Sequence, residues 1–201
     1  MKRILLSDVV AFSVACAVSC LISVPAFAAL KEGDAAPDFS TQASINGKSF
    51  LFSLQDALKK GPVVVYFYPS AYTGGCNIQA HTFAVNQEKF AAAGVTIIGV
   101  SLDSISRLNT FSADPDYCAG KFPVASDATG QIAKSYDLTI RQIAAGKKDS
   151  RGVDIDHDAA ERTTFIISPN GKIIASVGGL TPVENVNKSL EIAQKIAGQS
   201  Q

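Results

Sequence analysis

Apolar and polar positions along the chain change period from strand-like to helix-like and back. After an extended Gly/Pro/Asp-rich lead-in, LKEGDAAPDFST, the stretch INGKSFLFSLQDALKKG reads as a hairpin feeding a short helix. Ser53 caps that helix, Asp56 sits at its third position and Gly61 lies just past its end. PVVVYFYP is a continuous β-branched and aromatic run, the pattern of a strand buried on both faces. CNIQAHTFAVNQEKFAAAG has helical composition and stops at Gly94, and VTIIGVSLD is a second buried strand. The order strand, helix, strand predicts a crossover and a parallel pair.

Further on, SISRLNTFSA predicts a helix ended by Pro115, FPVASD a short strand and ATGQIAKSYDL another helix. RTTFIISPNGKIIASVGG places two apolar runs around a Pro-Asn-Gly turn and so predicts a hairpin. The last helix has Thr181 as cap, Pro182 at its first position and Glu184 closing a capping box. Val183, Val186, Leu190 and Ala193 are expected along its buried face. The stretch 141–161, RQIAAGKKDSRGVDIDHDAAE, is polar and lacks a period, and is expected to be a surface insertion. These elements make an α/β domain.

The amino terminus is a separate unit. Lys2 and Arg3 precede an apolar run from Val9 to Val24 that ends in PAFAAL, with Ala26 and Ala28 around Phe27. This is the pattern of a secretory signal over residues 1–28, leaving one domain over residues 29–201 in the periplasm or outside the cell. A membrane anchor needs roughly 20 apolar residues without a cleavage site; serines interrupt this run and the small residues offer one. A lipid anchor at Cys20 is the weaker alternative, because Ala17 stands where a lipobox prefers a larger aliphatic residue.

Composition narrows the function. Hydrophobic residues make up 47% of the 201 and charged residues 18%, which suits a packed domain, and the formal net charge is +0. Loss of Lys2, Arg3 and Asp8 with the leader moves the balance from 18 basic and 18 acidic residues to 16 and 17. A near-neutral domain is a poor nucleic-acid surface, and no membrane contact is expected after cleavage. Of four cysteines, Cys16 and Cys20 leave with the signal, so Cys76 and Cys118 are the thiols to explain.

Cys76 follows a buried strand and the pair Gly74-Gly75, at the start of a helix. Unpaired N–H groups and the helix dipole favour an anion there, which suits a nucleophilic thiolate. A structural cysteine is more natural inside PVVVYFYP. Zinc held by Cys76 and His81 would need both mature cysteines and both histidines to close a four-ligand site. Asp154, Asp156, His157 and Asp158 fail as an EF-hand, with Ala159 at its sixth position and Phe165 at its twelfth, and are expected to form a solvated loop.

YPSAYTGGC carries Pro69, Thr73 and Cys76 in the P-x-x-x-T-x-x-C spacing and resembles the peroxiredoxins of the alkyl hydroperoxide reductase/thiol-specific antioxidant superfamily. RTTFIISPNGKI, with Arg162, is similar to their second motif, and the likeness covers nearly the whole mature chain. The bacterioferritin-comigratory, or Q-type, subfamily is the nearest in pattern. The resemblance implies a thioredoxin-like fold with a central mixed β-sheet flanked by helices. It also implies a thiol peroxidase that reduces hydrogen peroxide or organic hydroperoxides without metal or organic cofactor.

On that likeness Cys76 attacks the peroxide, Thr73 and Arg162 support the sulfur and the developing oxygen anion, and Pro69 walls the pocket. A second thiol then condenses with the sulfenic acid on Cys76. Many Q-type relatives place that thiol five residues on, at the position of His81 here; another arrangement puts it one helix later, at Cys118. Gln79 stands where many relatives carry a glutamate that orients the arginine. An amide keeps the hydrogen bond without the charge, so weaker coupling to Arg162 is expected.

The implied partners are a peroxide and a thiol reductant, either a thioredoxin-like or glutaredoxin-like protein or a small thiol, with the domain a monomer or homodimer. A thioredoxin-fold disulfide carrier is the alternative, but it normally uses C-x-x-C, and here the motif reads CNIQ. A noncatalytic chaperone or redox-signalling partner is a third class. Peroxide consumption separates them.

Overall fold

The computed structural model describes residues 29–199; the leader expected over residues 1–28 lies outside them. The first hairpin joins β1 (Ser40–Ile45) and β2 (Lys48–Ser53). Its two-residue turn has both central residues left-handed, Asn46 at φ 48° and Gly47 at φ 76°, as the twist of a tight hairpin requires. Ser53 caps α1 (Leu54–Leu58), accepting from the Asp56 N–H.

Next come β3 (Val63–Phe67), α2 (Gly74–Ala92), β4 (Thr96–Ser101) and α3 (Ile105–Ala113). They are followed by β5 (Val124–Ser126), α4 (Gln131–Ser135), β6 (Ile140–Arg141) and β7 (Ala159–Ala160). β8 (Thr163–Ile167), β9 (Ile173–Gly178) and α5 (Pro182–Gln199) complete the chain.

Seven strands form one mixed sheet in the order β2-β1-β5-β4-β3-β8-β9, and β6 pairs β7 separately. β3 and β4 are parallel, Val63 beside Thr96, as the strand-helix-strand pattern predicts. β8 runs antiparallel to β3 on its other side. This is the expected α/β arrangement, a central mixed sheet with helices on both faces.

The continuous apolar run in β3 follows from its central place. Successive strand side chains point to opposite faces. Val64 and Tyr66 therefore join the core formed with α2, α3 and α5, while Val63, Val65 and Phe67 join the core on the other face. α2 buries Cys76, Gln79, Ala80, Phe83 and Phe90, all at helical spacing. Phe83 is fully buried and stacks on Tyr66 at a centroid distance of 4.5 Å, so truncating it costs about 3–5 kcal/mol. Gly99 is required beneath this stack, because a Cβ there would meet the Tyr66 ring at 2.6 Å.

Two expectations need correction. Val183 is 43% exposed, because on α5 the packed stripe begins one turn later, at Val186, and continues through Leu190 and Ala193. The 141–161 stretch is only partly a solvated insertion. Asp154, Asp156 and Asp158 are exposed, but Asp149, Ile155 and Ala160 are buried, and His157 turns inward onto Asp103. Among the described residues no helix is long and apolar enough to cross a membrane.

Candidate active site

The loop from Tyr68 to Thr73 joins the end of β3 to the start of α2. Tyr72 within it has φ 61°, a left-handed conformation that a bulky residue holds only when its surroundings dictate it. Here they do. Its ring meets Phe111 and Tyr117 edge-on at 5.0 and 5.6 Å, and the guanidinium carbon of Arg151 lies 3.2 Å from its centroid. Its carbonyl accepts from the Ser150 N–H at 2.8 Å.

The rest of the loop is tied to Asp103, at the end of β4. One carboxylate oxygen accepts from the Ala71 N–H and the Ser101 hydroxyl, both at 2.7 Å. The other accepts from the Ser70 hydroxyl at 3.0 Å and lies 2.8 Å from both His157 Nε2 and Arg107 Nε. Arg107 also donates to the Ala71 carbonyl at 3.0 Å and pairs with Asp149 at 2.8 Å, and Asp149 in turn pairs with Arg151 at 2.9 Å. The polar insertion is thus buckled onto the loop by two buried carboxylates.

Burial alone would raise the Asp103 carboxyl, but the bond to and charge of His157, with the Ala71 and Ser101 donors, hold it below the usual carboxylate range. For His157, burial works against the charged ring, and the Asp103 bond and charge overcome it, so the imidazole is raised. Both ring nitrogens face oxygens, Nε2 the Asp103 carboxylate and Nδ1 the Asp158 carbonyl at 2.7 Å, which suits an imidazolium donating at both.

Thr73 is the N-cap residue of α2, with extended backbone at φ −109°. Its hydroxyl donates to the Ser70 carbonyl at 2.8 Å, leaving the oxygen lone pairs as acceptors. Cys76 lies in the first turn and is 2% exposed. Arg162, just before β8, donates from Nη2 to its sulfur at 3.3 Å. Only one of the two glycines is needed for this approach. A Cβ on Gly75 would stand 3.2 Å from that nitrogen and 3.3 Å from Pro182, whereas one on Gly74 would meet nothing.

Arg162 and Pro69 also line a cavity of about 470 Å³ with Arg141, Thr163, Gly178 and Leu180. Arg162 therefore both donates to the buried sulfur and lines the cavity. On its far side Nη1 donates to Gln79 Oε1, so the amide does keep the bond expected of it.

Cys118 lies in the turn after α3, fully buried and in the same core cluster as Cys76. Both thiols are free. Burial, with the Asp114 carboxylate nearby, pushes the Cys118 thiol well up. His81 instead points its ring to the Asp116 carbonyl at 3.0 Å, at the edge of that turn.

The geometry thus brings Cys76 and Arg162 into contact, with Pro69 at the cavity wall and Thr73 in the same loop. The chain matches the AhpC/TSA family over residues 32–176. It belongs to that family. A putative peroxiredoxin of Mycobacterium tuberculosis is 33% identical over 147 residues, covering 73% of this chain and 84% of the relative. Peroxiredoxin Bcp of Escherichia coli is 31% identical over 144 residues, covering 72% and 83%.

Among solved structures, peroxidoxin BcpB from Mycobacterium tuberculosis matches with a TM-score of 0.69 at 26% identity, covering 83% of this chain and 98% of that one. Peroxiredoxin Q of Xanthomonas campestris matches with 0.61 at 25%, covering 78% and 90%. The fold is the thioredoxin-like one of peroxiredoxins, and the chain is a thiol peroxidase.

Sequence reasoning missed the Asp103, His157, Arg107, Asp149 and Arg151 clamp, and it missed Asn185. A signal existed for two of them. Ser101 and Asp103 are polar residues ending an otherwise apolar strand, and Asn185 interrupts the inner face of α5. The Arg107–Asp149 pair, the His157–Asp103 pair and the stacking of Arg151 on Tyr72 span 42 to 79 residues of sequence and had no local mark.

Proposed function

We propose that Cys76 is the peroxide-attacking thiolate of this peroxidase. Its sulfur bonds to one peroxide oxygen, the O–O bond breaks, and the departing oxygen takes a proton to leave as water or an alcohol. Cys76 becomes a sulfenic acid. Arg162 supplies the charge that holds the thiolate and meets the oxygen anion as it forms. Thr73, its hydroxyl hydrogen committed to Ser70, accepts from the proton-bearing oxygen of the incoming hydroperoxide. Pro69 walls the approach beside the cavity. The observation that carries this reading is the Nη2 donor of Arg162 at 3.3 Å from the sulfur, at the N-terminal turn of a 19-residue helix.

Cys118 then attacks the sulfenic sulfur, forming the disulfide and releasing water. A disulfide needs Cβ atoms about 3.5–4.5 Å apart, and both thiols are free and buried in one hydrophobic cluster. An external thiol, from a thioredoxin-like or glutaredoxin-like protein or a small molecule, restores both cysteines. With the leader of residues 1–28, that exchange takes place in the periplasm or outside the cell. Hydrogen peroxide and organic hydroperoxides are both substrates on this reading; alkyl peroxide reduction is described for the Xanthomonas campestris bacterioferritin comigratory protein, a 25% identical structural relative.

One equivalent of peroxide added to the reduced chain should yield a Cys76–Cys118 disulfide by peptide mass spectrometry. A persistent sulfenic acid with free Cys118 would establish a one-cysteine mechanism instead.

A further inference from the structure

Behind Arg162 lies a chain of buried amides whose hydrogen-bonding sense is fixed from one end. The Val177 carbonyl on β9 can only accept. Asn185 Nδ2 donates to it at 2.8 Å, which turns Asn185 Oδ1 the other way. That oxygen accepts from the Thr164 hydroxyl at 2.6 Å and from Gln79 Nε2 at 3.0 Å. With its NH₂ group committed to Asn185, Gln79 presents its oxygen to Arg162 Nη1. Reversing Gln79 would set an NH₂ donor against a guanidinium that has only donors. Gln79, Thr164 and Asn185 are all 0% exposed, so water cannot compensate for a reversed amide.

From this chain of donors and acceptors we infer that Asn185 is a positioning residue which, through Gln79, holds Arg162 on Cys76 with a neutral acceptor. The inference rests on the reading of Cys76 as the nucleophile. A carboxylate at position 79 would also accept from Arg162, but its charge would offset the guanidinium that faces the sulfur. It would also place an acceptor against Asn185 Oδ1, which Thr164 and Val177 prevent from turning. Gln79 is therefore matched to Asn185, and the guanidinium keeps its whole charge for the thiolate.

The test is the rate of iodoacetamide alkylation of Cys76 in the reduced full-length chain, followed on its own peptide by mass spectrometry from pH 5 to 9. Gln79→Glu changes charge without volume. It is expected to slow alkylation at pH 6 by about ten-fold and to move the pH–rate profile upward. Asn185→Ala and Gln79→Met are each expected to slow it, and the double variant no more than the slower single, since Asn185 acts through Gln79.

Alkylation of Gln79→Glu as fast as wild type, an unchanged profile in Asn185→Ala, or additive effects in the double variant would each overturn the inference. Should Asn185→Ala fail to fold, the smaller change Asn185→Ser takes its place with the same expected slowing, and an unchanged profile there overturns the inference. A failure of the underlying reading appears separately: wild-type Cys76 would react no faster than Cys118 before any variant is made.

Discussion

Cys76 and Cys118 share one hydrophobic cluster and are buried to nearly the same degree, 2% and 0% exposed, yet their surroundings are opposite. Cys76 sits at a helix N-terminus under a guanidinium nitrogen at 3.3 Å. Cys118 has apolar neighbours and the Asp114 carboxylate, and burial first, then that charge, drives its thiol up. Their supports differ too. The Cys76 loop is pinned by two buried carboxylates and an arginine stacked on Tyr72. The Cys118 turn rests on backbone hydrogen bonds and on two side chains, Asp114 accepting from the Asp116 N–H and the His81 ring on the Asp116 carbonyl, with Ala119 and Gly120 both left-handed. Burial alone therefore says little about what a thiol does; the nearest charge and the donors around the sulfur decide it.

Breaking the reactive side of this comparison has the largest expected effect. Cys76→Ser abolishes peroxide consumption in the presence of excess dithiol, and retained turnover would sink the assignment. Arg162→Met removes the only cation placed on the sulfur by the contacts described above, and should lower kcat/KM for peroxide by about 10²-fold, the usual cost of one donor aimed at developing charge. The quieter thiol is tested next. Cys118→Ser should leave the first attack at its wild-type rate while the sulfenic acid on Cys76 accumulates, as dimedone labelling reads; a slowed first attack would place Cys118 in that step.

The clamp predictions are smaller and concern stability. Arg151→Ala removes both the stacking on Tyr72 and an Asp149 pair. It should cost about 1–2 kcal/mol in urea unfolding. The least effect is that of pH on His157. Its ring is raised in the folded state, so its contribution is fully present below the ordinary histidine value of about 6.5 and is lost as pH rises through the folded value. Asp103 is lowered, so its share is present above the ordinary carboxylate value and is lost only as pH falls through the folded one. The stability gap between wild type and His157→Gln should accordingly narrow from pH 6 to pH 9; a gap that widens would exclude the charged pair.

Much of the site was legible because its marks are local. Pro69, Thr73 and Cys76 occupy one loop, and the strand before it and the helix after it follow from runs of neighbouring residues. Arg162 was found only because a second motif surrounds it. Val183 was misplaced because helical spacing identifies a stripe but not where along the helix the packing begins. His157 was assigned to solvent with its acidic neighbours because nothing near it in sequence shows that a buried carboxylate waits 54 residues earlier.

From the sequence come the order of the elements, the doubly buried strand, the helix caps and the position of the thiol proposed to attack, all governed by periodicity and by backbone groups that need partners close by. Tertiary structure alone decides that Arg162 reaches the sulfur past Gly75, that Gln79 takes its direction from Asn185, and that a polar insertion locks Tyr72 in a left-handed turn. Those contacts join residues up to 106 positions apart, and their charges and amides attract one another strongly only where water is excluded, which happens once the sheet and helices have packed.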